Sequence, residues 1–333
     1  MHATRIRTNP DLFEIEVPFD NISTSGTNCY LVQDGDDSLV VDTGAPTEDG
    51  YRVLHAALEE LGVNPARTSY FLTHLHYDHV GLVDRIAPAN ATVYLSAEGL
   101  QMARDGGVEE LHEDFRRLVE EGVPRADADA LVRSVSGPRV IDIDRCAPVV
   151  VGDGDVIDVG SYRLHVVATP GHTPDHLSLY EPRSKTLMGG DHVLFVVSPG
   201  VTVFPDGSDS LQAYLDSLDR VSNMEIETLL VSHGKNRPDF HERIDWLKRH
   251  HLERLDETVG IIEREPGLLG QQVVRRIRWN VPHERWDDIS LMQRWCILME
   301  GIAILDHLAA TGRVTRSKDG DARNVYFPAA ISS

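Results

Sequence analysis

The chain has 333 residues, 41% of them hydrophobic, and a net charge of −21. That length exceeds one ordinary hydrophobic core, so two domains, or one large domain with an appendage, are expected. The charge excludes a broadly nucleic-acid-binding surface, which needs a cationic footprint. Residues 241–333 carry equal numbers of basic and acidic side chains, so the whole deficit lies in residues 1–240 and a nucleic-acid reading survives only for the tail. No stretch reaches the roughly 18 uninterrupted apolar residues of a membrane span. The first residues, Met1 to Arg5, lack the apolar region of a signal peptide, and a cytoplasmic location is the expectation. Cys29, Cys146 and Cys296 are too scattered for a disulfide framework or a CxxC pair and are predicted to be buried, reduced thiols.

From Phe13 to Val41 apolar and polar residues alternate, which predicts antiparallel strands turning at Asp34-Gly35. Glu48 to Leu61 has helical periodicity, with Gly62 as its stop. A strand over 69–73, a helical stretch near Val80 to Ile86 and a strand over 91–95 follow, giving a layered α/β rhythm. Residues 97–135 break it with a long, charged, helix-favouring insertion. Strands resume at 148–151, 162–167, 177–180 and 186–188, so the second half resembles the first and a two-sheet sandwich is predicted. A helix over 210–221 and a strand over 227–231 close it. Beyond Asp239 the chain turns helical to Ile262, and a short helix is expected over 270–279. A helix over 299–308, a strand over 313–316, an Asp319-Gly320 turn and a strand over 324–327 end the chain.

The chemistry concentrates in Thr73 to Gly81, where His74, His76, Asp78 and His79 sit in a loop directly after a predicted buried strand. Imidazole nitrogen and carboxylate oxygen suit zinc and comparable divalent ions, and four such donors in six positions can serve two ions. Three further candidates, His172, Asp191 and His233, recur at predicted strand ends beside glycines that let the backbone turn sharply. Any one of these histidines alone would more often be structural. The ordered set is another matter.

This order and context resembles the metallo-β-lactamase superfamily with its His-x-His-x-Asp-His signature, over residues 12 to about 240. The resemblance implies an αββα sandwich in which His74, His76 and His172 hold one metal, Asp78, His79 and His233 a second, and Asp191 bridges them. Asp42, in Val41-Asp-Thr-Gly44, would support the site by orienting a ligand histidine. Two divalent ions are implied, zinc by default, with iron or manganese also suited to these donors. They would activate a bridging hydroxide against a carbonyl or phosphoryl group, with Asp78 orienting it and managing its proton. His176, His192, Phe195 and Phe204 are candidates for contacting substrate. Asp175 stands where many members of the family have Gly. The adjacent His250 and His251 point in different directions on a helix and are expected to be solvated or packed rather than ligands.

The C-terminal pattern resembles the small winged-helix-like domain carried by one branch of the superfamily. That branch includes glyoxalase II-like hydrolases, acyl-carrier-protein thioesterases and a single-stranded-RNA endonuclease. The expected division is a catalytic domain over 1–250, including the helical insertion 97–135, and a winged-helix-like domain over 251–333. Met299 to Ala310 has no Lys or Arg, so packing against the catalytic domain or a homodimer contact is expected of it rather than DNA binding. Arg275, Arg276 and Arg278 could grip a phosphate-bearing substrate, either RNA or coenzyme A. The predicted function is hydrolysis of a small ester, thioester or lactone, including coenzyme A or carrier-protein thioesters, with an apolar acyl pocket between the insertion, Phe195 and Phe204. A metal-dependent single-stranded RNA endonuclease is the alternative.

Overall fold

The computed structural model describes residues 2–19, 25–135, 141–281 and 285–329. Strands β1 (Thr4–Arg7), β2 (Asp11–Pro18), β3 (Gly26–Asp34), β4 (Asp37–Val41), β5 (Thr68–Phe71), β6 (Thr92–Leu95) and β7 (Ala147–Val150) form one sheet in that spatial order. β1 to β4 pair antiparallel and β4 to β7 parallel. The second sheet contains β8 (Val156–Val159), β9 (Tyr162–Ala168), β10 (Leu177–Glu181), β11 (Thr186–Met188) and β12 (Thr228–Leu230), with β12 and β8 at its edges.

Period-two alternation sorts the side chains into layers. In β3, Tyr30 and Val32 point between the sheets, where they meet Leu164, Val166, Leu177 and Leu179. Their neighbours Cys29 and Leu31 point the other way, into a core shared with Leu54 and Ala57 of α1 (Glu48–Glu60). β4 repeats the pattern, with Leu39 and Val41 inward and Val40 outward. Behind the second sheet, Leu187 and Leu229 pack with Leu211, Tyr214 and Leu218 of α7 (Ser210–Ser222). Three cores between four layers make the expected αββα sandwich.

Short helices α2 (Tyr77–Val80) and α3 (Val83–Ile86) replace the single helical stretch expected near Val80. The insertion is α4 (Ala97–Asp105), α5 (Val108–Glu120) and α6 (Arg125–Val135). Beyond the sandwich lie α8 (Phe240–Arg264), α9 (Gly270–Val274), α10 (Leu291–Ala310) and a small sheet of β13 (Leu268–Leu269), β14 (Val314–Lys318) and β15 (Asn324–Pro328), with β15 central. α8 runs unbroken through residues 250 and 251, where the two expected domains meet. Leu118, Ala128 and Leu131 of the insertion, Leu247 and Leu255 of α8, and Ile302 and Leu305 of α10 share one core with the outer face of the second sheet. The C-terminal elements are thus fastened to the body by the insertion.

Some expectations need correction. The helix predicted over 270–279 ends at Val274, where tight turns take over as Arg276 and Ile277 donate to Val273 and Val274. α10 starts at Leu291, eight residues before the predicted start, with Ser290 capping the amide of Gln293. Cys29 and Cys146 are buried as expected, but Cys296 is exposed, because it lies on the early part of α10 before the helix enters the core at Ile297.

Candidate metal centre

Every candidate ligand leaves the end of a strand on the same rim of the sandwich. β5 delivers His74 and His76, and the following turn of α2 delivers Asp78 and His79. His172 lies in the loop after β9, Asp191 follows β11, and His233 follows β12. Two groups of donor atoms form, each lying within 4.8 Å of one another: His74, His76, His172 and Asp191, and then Asp78, His79 and His233. Asp191 joins the groups. Its Oδ2 lies 3.5 Å from His172 Nε2, while its Oδ1 lies 3.4 Å from both His79 Nε2 and His233 Nε2. Ser232 donates its hydroxyl to the same Oδ1.

The hydrogen bonds behind the rings decide which nitrogens face the centre. His172 Nδ1 lies 2.7 Å from the carbonyl of Gly200, and His233 Nδ1 lies 2.9 Å from that of Gly26. A carbonyl only accepts, so both Nδ1 atoms carry the proton and both Nε2 atoms offer a lone pair. Asp42 does the same for His79, its Oδ2 lying 2.8 Å from Nδ1. Thr73 extends this control to His74. Its hydroxyl gives its one proton to Asp42 at 2.8 Å, so at 3.0 Å from His74 Nδ1 it acts as acceptor, again leaving Nε2 free to ligate.

The result is a set of acceptors pointing at each other. His74 Nε2 and His172 Nε2 face His76 Nδ1 at 2.9 and 3.0 Å, and one proton there satisfies at most one of them. His79 Nε2 is buried with no hydrogen-bond partner among the described residues. Burial, with the neighbouring His79 and His76, holds His74 well below the usual imidazole range. Burial pulls His79 the same way, but the Asp191 and Asp42 carboxylates override it and hold the ring well above that range, so a cation bound there would displace a proton from Nε2 while Nδ1 keeps its own toward Asp42. Convergent lone pairs and an orphaned buried nitrogen are what a cation site requires, and these donors fit two divalent ions.

The remaining candidates are placed differently. His176 and His192 are each 1% exposed. His176 Nε2 accepts from the Asp191 amide at 3.1 Å, with Thr169 at its other nitrogen, so it braces the Asp191 backbone from behind. His192 packs edge-on to Tyr214. Phe204 is buried, and Phe195 is half-buried beneath the Arg237 guanidinium, 5.1 Å from its ring centre. A cavity of about 310 Å³ does lie between α4, the start of α5 and the loops at Pro174 and Pro205. It sets Met102, Pro174 and Pro205 among the carboxylates Glu98, Asp105, Glu109, Glu110 and Asp206, and neither Phe195 nor Phe204 lines it.

Apolar side chains collect elsewhere around the ligands. Phe19 packs edge-on to both Tyr77 and His233, and Tyr77 is 41% exposed. Val196, 49% exposed, covers Gly234 beside His233. Phe19 and Val196 carry no local sequence signal, whereas Tyr77 and Thr73 sit inside the ligand motif and were open to notice. Arg276 is forked onto Glu265, and Arg275 lies over the Trp286 ring. His251 is buried, and His250 stacks on Trp246.

The signature of the metallo-beta-lactamase superfamily matches residues 23–233. A "Beta-lactamase-like protein 2 homolog" of Caenorhabditis elegans is 26% identical over 263 residues, covering 77% of this chain and 72% of that protein. The "Probable metallo-hydrolase YqjP" of Bacillus subtilis is 26% identical over 330 residues, 96% of this chain and 98% of its own length. Among solved structures, a metallo-beta-lactamase family protein from Thermus thermophilus superposes with a TM-score of 0.75 at 25% identity, covering 95% of this chain and 98% of that one. A beta-lactamase domain protein from Burkholderia ambifaria gives 0.81 at 22% identity, covering 98% and 94%, which bears on the fold. The chain belongs to the metallo-β-lactamase superfamily and is a metal-dependent hydrolase.

Proposed function

We propose that the protein hydrolyses a small ester, thioester or lactone at a centre of two divalent ions, zinc by default. One observation carries this reading: seven donors in two groups share Asp191, and the tautomers of His74, His79, His172 and His233 are fixed from behind. His74, His76 and His172 would hold one ion, Asp78, His79 and His233 the other, with Asp191 common to both. When bound, the ions supply an activated water at neutral pH and polarise the substrate carbonyl.

The protein's own contribution is placement and proton handling. Asp78 Oδ2 lies 3.5 Å from His233 Nε2, and the first turn of α2 is pinned by Thr27, whose hydroxyl donates to the Asp78 carbonyl at 2.7 Å. A carboxylate held there orients the attacking water and receives its proton. Phe19, Tyr77 and Val196 offer an apolar rim for the acyl part of the substrate and exclude water from it. The acidic body, with its net charge of −21, disfavours a polyanionic polymer. Two of the three arginines that would form an RNA track are engaged locally, Arg276 with Glu265 and Arg275 with Trp286.

The test is turnover of metal-loaded protein on acyl-coenzyme A thioesters and lactones, and in parallel on labelled single-stranded RNA, each with an Asp78→Ala control. Ester or thioester hydrolysis lost in the control supports the reading. RNA cleavage lost in the control, with the small esters untouched, replaces it by the endonuclease.

A further inference from the structure

The His74, His76 and His172 donors come from loops about a hundred residues apart, yet their nitrogens meet within 3.0 Å. Little backbone joins those loops. The Leu177 amide donates to the Thr73 carbonyl at 2.8 Å at the base of the rim. Above it, the Leu75 amide, which lies between the two ligand histidines, donates to a side chain instead: Asp175 Oδ2, at 2.9 Å. Asp175 sits three residues beyond His172 and is 2% exposed. Among the described residues it has no ion-pair partner, and its other oxygen, Oδ1, has no hydrogen-bond partner. Burial pushes its carboxyl up to about 6, with the Thr173 side chain and the Leu75 amide opposing the rise.

A buried carboxyl without a cation is costly unless a specific contact retains it. Bulk alone does not explain it, because α4 is crowded here: a Cβ on Gly99 would stand 3.2 Å from Asp175 Oδ2. Thr173 and the Asp175 amide also favour the carboxylate, but both belong to its own loop; the bond to Leu75 is the one that reaches across to the other loop, and it fixes the residue whose two chain neighbours are both ligands.

We propose that Asp175 is a positioning residue for the His74, His76 and His172 metal position, acting through the Leu75 amide. It touches neither substrate nor metal. Asn keeps an acceptor oxygen at the same place, while Leu keeps the shape and removes it, leaving the Leu75 amide buried and unpaired. Supporting contacts of this kind are worth about 10–100-fold in metal affinity.

The experiment is titration of chelator-stripped full-length protein with zinc, and with cobalt(II) for its ligand-field spectrum, on the wild type, Asp175→Asn and Asp175→Leu. No substrate is involved, so the result is independent of which ester is hydrolysed. The wild type should bind two equivalents. Binding none would overturn the metal-centre reading on which this inference rests. Given two, Asp175→Leu should weaken one equivalent about 10–100-fold and alter the cobalt spectrum, while Asp175→Asn stays within about threefold of the wild type. Asp175→Ala repeats the acceptor-free test if Leu impairs folding. The role is overturned if the acceptor-free variant binds both equivalents normally, if it weakens both alike, or if Asn fails as badly as Leu.

Discussion

Asp42 Oδ2 lies 2.8 Å from both His79 Nδ1 and the Thr73 hydroxyl, so one buried carboxylate sets the tautomer of a ligand in each metal position. Its Oδ1 also accepts from the Thr73 amide at 2.9 Å. Asp42 achieves this from a left-handed backbone, φ 58°, a conformation that Asp tolerates better than most residues. Asp42→Ala removes three hydrogen bonds and strains that backbone. Metal affinity should fall about 10–100-fold, and, unlike Asp175→Leu, at both equivalents. Competition against a chromophoric chelator reads this directly. Unchanged affinity would show that packing alone holds the rings.

Metal removal should lower thermal stability without unfolding the chain. The three apolar cores include none of the ligand side chains, whereas the stripped centre leaves His79 Nε2 buried with no hydrogen-bond partner among the described residues, 3.4 Å from the Asp191 carboxylate. A metal at 100 times its Kd contributes about 2.7 kcal/mol per site. At about 2 °C per kcal/mol for a large domain, each site should raise the melting temperature by about 5 °C. A melt recorded with and without chelator, alongside circular dichroism at room temperature, checks both halves of the statement.

The ligands were legible because their chemistry is local: His74, His76, Asp78 and His79 fall within one short loop, and His172, Asp191 and His233 each end a recognisable apolar strand. β1 was not, since Thr4 to Arg7 offers only one apolar residue and lies at a sheet edge. The start of α10 was missed because the helix is apolar on nearly every face once inside the core, which erases the periodicity that marks an end. Contacts such as Phe19 with His233, or Asp175 with Leu75, join segments far apart in the chain. No spacing rule encodes them. The carboxylates at the cavity by α4 were visible as composition, but which helix face turned toward the His172 loop depended on tertiary packing.

Gly301 offers a test in which two physical effects oppose each other. In a helix interior, Gly→Ala should gain about 1 kcal/mol from propensity alone. Here a Cβ would lie 2.4 and 2.6 Å from the two methyl carbons of Val274, on the neighbouring α9. Both residues are buried in the core that fastens the C-terminal elements. Overpacking should win, so Gly301→Ala is expected to destabilise by about 1–3 kcal/mol in chemical denaturation. The double variant Gly301→Ala with Val274→Ala should recover part of that loss. A stabilised single variant would mean that α9 can move aside.

Glu121 predicts how stability varies with pH. It follows α5 and meets the C-terminal sheet, accepting from Asn324 and, at 3.0 Å, from the Tyr326 hydroxyl. Burial pushes its carboxyl up to about 7, with Asn324 and Arg117 opposing the rise. Below the ordinary value of 4.5 both folded and unfolded chains hold the proton, and the group contributes nothing to the slope. Between that value and about 7 the folded chain keeps a proton the unfolded chain has lost, so this group's contribution to stability falls as pH rises. Above about 7 the loss is complete and the slope vanishes again. Across the window the change is about 3 kcal/mol at 1.36 kcal/mol per unit. Glu121→Gln cannot titrate, so the difference in unfolding free energy between variant and wild type should shift in the variant's favour by about that amount from pH 4.5 to pH 7.5. Denaturant titrations of chelator-stripped protein at several pH values isolate this from proton competition at the metal ligands. A pH-independent difference would mean that the carboxyl titrates alike in both states, and that Asn324 and Tyr326 stabilise the charged form as well as water does.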